Sequence, residues 1–227
     1  MGYQNEHANR LVFDLETAPL PDAADYLEPE SAPSNYKDPV KIAEFIATKQ
    51  AENLSRCSLD PDLCRVVAIG WQWEPLDGAS ELVASTVGMP EELMLRAFWS
   101  QAEGAGLLVG FNCLGFDLPV LLRRSLYLGV RAPQIQIDRF KHPRVVDLMD
   151  ELSYSGKLKL RGLDFYCRRF GIQVDGDTLT GADIPAAVAV GNWPAVEAHV
   201  RADVQKTAAL AAKLGHFTLH PQPAAVL

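Results

Sequence analysis

The sequence predicts a single α/β domain built on a mixed sheet. Apolar runs of strand length, at 10–16, 64–73, 81–87 and 106–112, alternate with helical periodicities at 90–103, 116–129 and 192–215. Nothing in the 227 residues repeats, and no low-complexity linker divides them. A chain of this length usually makes one domain and buries a large core without disulfide staples.

The elements follow in order. Residues 1–9 read as a tail. In 10–16, Leu11, Phe13 and Leu15 point one way and Val12, Asp14 and Glu16 the other. Residues 17–38 are rich in Pro and acids and read as loop. Asp38-Pro39 then supplies a cap and a first-turn proline for a polar helix over roughly 39–55. CRVVAIGWQW (64–73) and ELVASTV (81–87) flank the turn signal PLDG, which predicts a hairpin or meander. PEELMLRAFWSQAE (90–103) is amphipathic. GLLVGFN (106–112) is short and continuously apolar, as in a strand buried on both faces.

FDLPVLLRRSLYLG (116–129) reads as a helix capped by Asp117 and closed by Gly129. A looser stretch runs to about 144. VVDLMDEL (145–152) is a strand end passing into a helix. Helices are expected over 159–171 and 181–191, and a final one over 192–215 with Asn192 as cap. Residues 216–227 read as a second tail, so the HxxxH spacing of His216 and His220 falls outside a helix and is not taken as a metal site.

Composition excludes several classes. No apolar run approaches the ~18–20 residues that span a bilayer. MGYQNEHANR lacks the apolar stretch of a signal peptide. Cys57, Cys64, Cys113 and Cys167 form no CxxC pair and read as free thiols of a reducing compartment. A soluble, cytoplasmic protein is expected. GAGLLVG (104–110) flanks a strand with its glycines instead of joining a strand to a helix, which argues against a dinucleotide loop. The net charge of −8 is unevenly spread. Residues 1–120 carry 7 Lys+Arg against 19 Asp+Glu, whereas 121–170 carry 11 against 5. A basic segment in an acidic chain can wall an acidic site.

Asp14 and Glu16 are two apart in a strand, so they leave the same face. Side by side and buried, two carboxylates repel and lose hydration. A divalent cation offsets them most simply, and hard oxygen donors suit Mg²⁺ or Mn²⁺. Asp117 starts a helix after the strand exit Gly110-Phe111-Asn112, where a plain cap would also explain it. On the last helix, Val196, Val200, Val204, Thr207 and Leu210 mark the core stripe. His199 and Asp203, one turn apart, lie at its edge.

These signals run in a fixed order: DxE on the first strand, Asp at a mid-chain helix start, HxxxD on the final helix. In VFDLETAP, GFNCLGFDLPVLLRR and AHVRADVQKTAAL the sequence resembles the DEDD 3′–5′ exonucleases of the RNase H-like fold. The closest likeness is to stand-alone proteins related to the proofreading exonuclease domain of family B DNA polymerases. VVDLMDEL and LRGLDFYCRRFGI resemble its intervening segments, so the likeness spans roughly 10–215, with 17–60 a loop-plus-helix elaboration.

The resemblance implies that Asp14, Glu16, Asp117 and Asp203 bind two divalent ions, Mg²⁺ or Mn²⁺. Asp14 would bridge both, Glu16 and Asp203 would hold the ion that activates water, and Asp117 would serve the other. It implies that Asn112 lies near the 3′ end of the substrate and that Asp147 supports the ligands from behind. His199 stands where the polymerase-related branch carries tyrosine, as general base or as a group that positions water. Phe116 is expected to stack on bases, as are Phe111 and Tyr166. Arg123 and Arg124 are expected to meet phosphates, with Lys157, Lys159, Arg161, Arg168 and Arg169 as further candidates. The implied substrate is nucleic acid with a free 3′ end, single-stranded DNA in preference to RNA, with a replication or repair partner unspecified and no membrane. An exoribonuclease of the same fold, and a module that binds nucleic acid or a polymerase without cleaving, are the alternative readings.

Overall fold

The computed structural model describes residues 9–74, 83–137 and 142–215. The expected tails, apart from Asn9, and the PLDG turn lie outside the described residues, as do 138–141 of the looser stretch. Among the described residues, five strands and seven α-helices follow one another in the order the sequence predicts. In chain order they are β1 (Arg10–Pro19), α1 (Pro39–Arg56), β2 (Cys64–Glu74), β3 (Ala84–Val87), α2 (Glu91–Gly104), β4 (Leu107–Gly110), α3 (Asp117–Leu128), β5 (Val145–Asp147), α4 (Leu148–Ser153), α5 (Leu163–Phe170), α6 (Ile184–Ala189) and α7 (Trp193–Leu214). Among the described residues no helix is long and apolar enough to cross a membrane.

The strands form one mixed sheet in the order β3-β2-β1-β4-β5. β1 pairs antiparallel with β2 and parallel with β4, and β4 pairs parallel with β5. β1 is therefore central, and its alternation sorts two cores. Leu11, Phe13 and Leu15 pack with Phe98 of α2 and with Leu118 and Leu121 of α3. Val12 packs on the other face with Val204, Ala208 and Leu210 of α7. Asp14 and Glu16 share the side of Val12, so they leave the sheet toward α7.

The predicted stripe of α7 is the one that is buried: Val196, Val200, Val204, Thr207 and Leu210 are each 0 % exposed. Gly70 of β2 lets this helix sit close. A Cβ there would lie 3.0 Å from Val204 Cγ2 and 3.2 Å from Val200 Cγ2. Tight seating on the sheet fixes how far His199 and Asp203 stand from β1.

Several boundaries differ from expectation. β1 continues to Pro19, because pairing with β2 persists past a register shift between Glu16 and Thr17. Asp117 does not cap α3; Phe116 holds the cap position without a side-chain bond, and Asp117 is the first helical residue. α5 begins at Leu163, not 159, with Gly162 extended before it. α1 starts as predicted, Asp38 accepting from the Val40 N–H at 2.9 Å, but it buries none of its residues.

Candidate functional site

β4 ends at Gly110 while its parallel neighbour β1 runs on through Asp14 to Pro19, and the crevice beyond the carboxyl end of such a strand is where open α/β sheets commonly hold ligands. Here it is a cleft of about 440 Å³. Asp14, Asn112, Phe116, Asp117, Leu160 and Arg161 are among the residues that line it.

The loop from β4 to α3 is shaped by Asp147. Its Oδ1 accepts from the Asn112 N–H at 2.8 Å and the Met149 N–H at 2.9 Å, while Oδ2 accepts from the Leu114 N–H at 3.0 Å. One carboxylate thus caps α4 and pins the neighbouring loop. Asn112 adopts a left-handed backbone, φ 60°, which asparagine tolerates better than most residues. Its carbonyl in turn accepts from Gly115 and Phe116, which turns the chain into α3 and aims Asp117 at β1.

Asp117 is 5 % exposed and Glu16 7 %. Burial, then the charges of Asp117, Glu16 and Asp203, push the Asp14 carboxyl well above the ordinary range. Burial, then Asp203, Asp117 and Asp177, do the same to Glu16. Asp117 is pushed up to about 7, by burial first, with backbone hydrogen bonds from itself and Leu15 opposing. The carboxyls of Asp14 and Glu16 on β1 thus both feel the charges of Asp117, at the start of α3, and of Asp203, on α7.

On the α7 side, oxygen and nitrogen atoms of Glu16, His199 and Asp203 all lie within 4.8 Å of one another. His199 Nε2 is 3.5 Å from Glu16 Oε1 and 3.9 Å from Asp203 Oδ2. Its Nδ1 is 2.9 Å from Asp177 Oδ1. A carboxylate can only accept, so Nδ1–H donates and, in the neutral ring, the Nε2 lone pair faces the acids. Lys206, one turn beyond Asp203, donates to Asp203 Oδ1 at 2.8 Å and to Asp177 Oδ2 at 3.2 Å. Burial works against the Asp177 charge, but the bonds from His199 and Lys206 hold its carboxyl below the ordinary range.

The donor set fits divalent cations. It offers buried carboxylate oxygens whose repulsion Lys206 only partly offsets, plus one imidazole nitrogen. The residues brought together are Asp14, Glu16, Asn112, Phe116, Asp117, His199 and Asp203. Asp147 supports the loop from behind.

Two expected phosphate contacts are not in this group. Arg124 is 6 % exposed and forked onto Glu91, Nε to Oε1 at 2.8 Å and Nη2 to Oε2 at 2.9 Å. That pairing takes two of its N–H donors inside the α2–α3 packing, and Arg124 is absent from the cleft lining, against the expected contact with substrate. Arg123 is half-exposed, 3.3 Å from Asp62, and is absent from the cleft lining. Phe111 and Arg161 do line it; Tyr166 packs on Phe111, with ring centroids 6.2 Å apart. Asp177 and Lys206 were not singled out from the sequence. Lys206 had a signal, its i+3 spacing from Asp203; Asp177 lies in an aperiodic polar turn.

The chain also resembles known proteins. The family described as "Predicted 3'-5' exonuclease related to the exonuclease domain of PolB" matches residues 59–220. That span holds Asn112, Asp117, Asp147, His199 and Asp203 and leaves Asp14 and Glu16 outside. The uncharacterized protein MJ0365 of Methanocaldococcus jannaschii is 32% identical over 137 residues, 59% of this chain and 72% of its own. Among solved structures, the family B DNA polymerase of the hyperthermophilic archaeon Pyrobaculum calidifontis superposes on 94% of this chain with a TM-score of 0.60 at 21% identity. This chain spans only 25% of the polymerase's length, and the likeness is one of fold. The fold is thus that of a polymerase exonuclease domain, RNase H-like, and the chain belongs to the family of predicted 3′–5′ exonucleases related to the exonuclease domain of PolB.

Proposed function

We propose that the protein is a metal-dependent 3′–5′ exonuclease that hydrolyses the terminal phosphodiester of single-stranded DNA. The observation that carries this reading is the convergence of Asp14, Glu16, Asp117 and Asp203, remote in sequence, beside one cleft. Two divalent ions in such a site would supply an activated water and stabilise the leaving 3′-oxygen.

The chain's own residues do the rest. Asp14, Glu16, Asp117 and Asp203 would hold the ions, with Asp14, which feels the charges of both Asp117 and Glu16, as the shared ligand. β2 pairs with β1 at Asp14 and Glu16, opposite Gly70 and Ala68, which keeps the two carboxylates from drifting apart. Asn112 and Phe116 line the cleft where a terminal nucleotide would enter. Arg161 faces the same space and would pair with a phosphate, and the exposed bases of a single strand would reach Phe116 for stacking. His199 turns Nε2 toward Glu16 and Asp203, where it would meet a cation or the attacking water.

The test uses 3′- and 5′-labelled single-stranded DNA and RNA with Mg²⁺, Mn²⁺ or EDTA. Mononucleotides should leave the 3′ end of DNA, faster than of RNA, and release should stop with EDTA and in Asp14→Ala. An oligonucleotide that is retarded on a gel but stays intact under every metal would overturn the enzyme reading and favour a binding module.

A further inference from the structure

His199 has a carboxylate behind its ring. The ring is 4 % exposed. Asp177 fixes its tautomer from one side, and the lone pair of Nε2 faces two carboxylates on the other. The distances to those carboxylates, 3.5 and 3.9 Å, exceed a good hydrogen bond. They suit ligands of one ion. Two donor atoms each ~2.1 Å from a shared cation stand about 3.0–4.2 Å apart across the range of coordination angles.

The carboxylates are also divided in a consistent way. Asp203 gives Oδ1 to Lys206 and turns Oδ2 toward His199. Asp177 gives Oδ2 to Lys206 and Oδ1 to the imidazole. Lys206 therefore locks both acids in register and leaves one oxygen of Asp203 facing the site. A histidine whose far nitrogen binds a carboxylate is the usual arrangement around a protein-bound transition metal.

We infer that Glu16 Oε1, His199 Nε2 and Asp203 Oδ2 form a mixed nitrogen–oxygen site for a first-row transition dication, with Asp177 as the positioning residue behind the histidine. The inference rests on the reading of the acids as cation-binding and adds the identity of one ligand and of the ion. Mg²⁺ prefers oxygen and water, and imidazole nitrogen favours transition metals over it. This half of the centre therefore selects Mn²⁺ or a neighbouring metal over Mg²⁺, while the Asp14–Asp117 half, all oxygen, does not discriminate in that way.

The probe is Mn²⁺ added to the full-length metal-free protein. Electron spin-echo spectra of the bound ion should carry ¹⁴N modulation from a coordinated imidazole. His199→Gln should abolish the modulation while Mn²⁺ still binds through the carboxylates. Asp177→Asn should weaken Mn²⁺ binding by about 10–100-fold. Circular dichroism identifies any variant that fails to fold, and ¹⁵N chemical shifts of the His199 ring in the metal-free wild type report the Nδ1–H tautomer independently. Bound Mn²⁺ without nitrogen modulation overturns the inference, as does wild-type affinity in a folded Asp177→Asn or the absence of Mn²⁺ binding. Magnesium-supported cleavage without nitrogen coupling would retain the exonuclease and reject the histidine ligand. Nitrogen coupling in a protein that cleaves nothing would do the reverse.

Discussion

Two groups of charge flank one sheet, each partly buried and partly half-buried. Glu91 and Arg124 lie on the α2–α3 face, and Asp14, Glu16, Asp117 and Asp203 lie toward α7. The first group is closed. Glu91 Oε1 accepts from Arg124 and from the Val66 N–H at 2.8 Å, Oε2 takes the second prong of the guanidinium, and opposite charges meet one to one. The second is open. Burial and the neighbouring carboxylates raise Asp14 and Glu16, and Lys206 opposes them. Buried ions tie a fold together when every donor and acceptor is matched. An excess of one sign, kept on rigid elements beside a cleft, costs stability and is explained by what it binds.

Removing a member of the open group gives the largest effect. Asp14→Asn should lower exonuclease activity on the order of 10³-fold or more, because a shared ligand for both ions is lost. In EDTA the same variant should melt higher than wild type, since one of the repelling carboxylates is gone. A lower melting temperature would show that the acids are satisfied as they stand and would break the comparison.

The repulsion also has a pH signature. Asp14, Glu16 and Asp117 have folded-state values above their unfolded ones, Asp117 at about 7. The folded protein then holds protons that the unfolded chain releases, so stability falls as pH rises between the ordinary carboxylate range and about 7. Melts in EDTA from pH 5 to 8 should show the advantage of Asp14→Asn over wild type widening with pH. Saturating Mn²⁺ should remove the difference in slope.

The closed group should behave in the opposite way. Arg124→Met leaves the Glu91 carboxylate buried without its partner and should cost about 3–5 kcal/mol by denaturant unfolding, with activity per folded molecule unchanged. Pairing it with Glu91→Leu should recover most of the loss. If Arg124→Met instead spared stability and abolished DNA binding, the assignment of this arginine to the fold would be wrong.

The two groups are not equally legible in the sequence. The acids were legible because strand alternation places Asp14 with Glu16, and helical spacing places His199 with Asp203. Their order along the chain did the rest. Arg124 was misread because composition marks 121–170 as basic without saying which side of α3 faces inward. Its partner Glu91 is 33 residues away on another helix, and only tertiary packing brings them together. Asp177 was missed for a related reason. It sits between α5 and α6 where no periodicity fixes direction, and it gains meaning only from contact with α7. α5 starts four residues later than the pattern predicts because Lys159–Arg161 share its polarity. In the fold, Leu160 and Arg161 line the cleft.

The smallest effects separate two surface arginines that the sequence treats as equivalent. Arg161 lines the cleft and lies over the Phe165 ring, its guanidinium carbon 4.9 Å from the centroid, which holds the side chain in one place. Arg123 is half-exposed and 3.3 Å from Asp62, an arrangement worth at most about 1 kcal/mol. Binding of a fluorescent single-stranded oligonucleotide, followed by anisotropy in EDTA over roughly 50–200 mM salt, distinguishes them. Arg161→Ala should weaken binding severalfold and reduce the salt slope by ~0.7, the value for one phosphate contact on a single strand. Arg123→Ala should change neither beyond error. Equal losses for the two would mean that the strand crosses α3 as well as the cleft, and the substrate path would then extend over the face that Glu91 and Arg124 hold together.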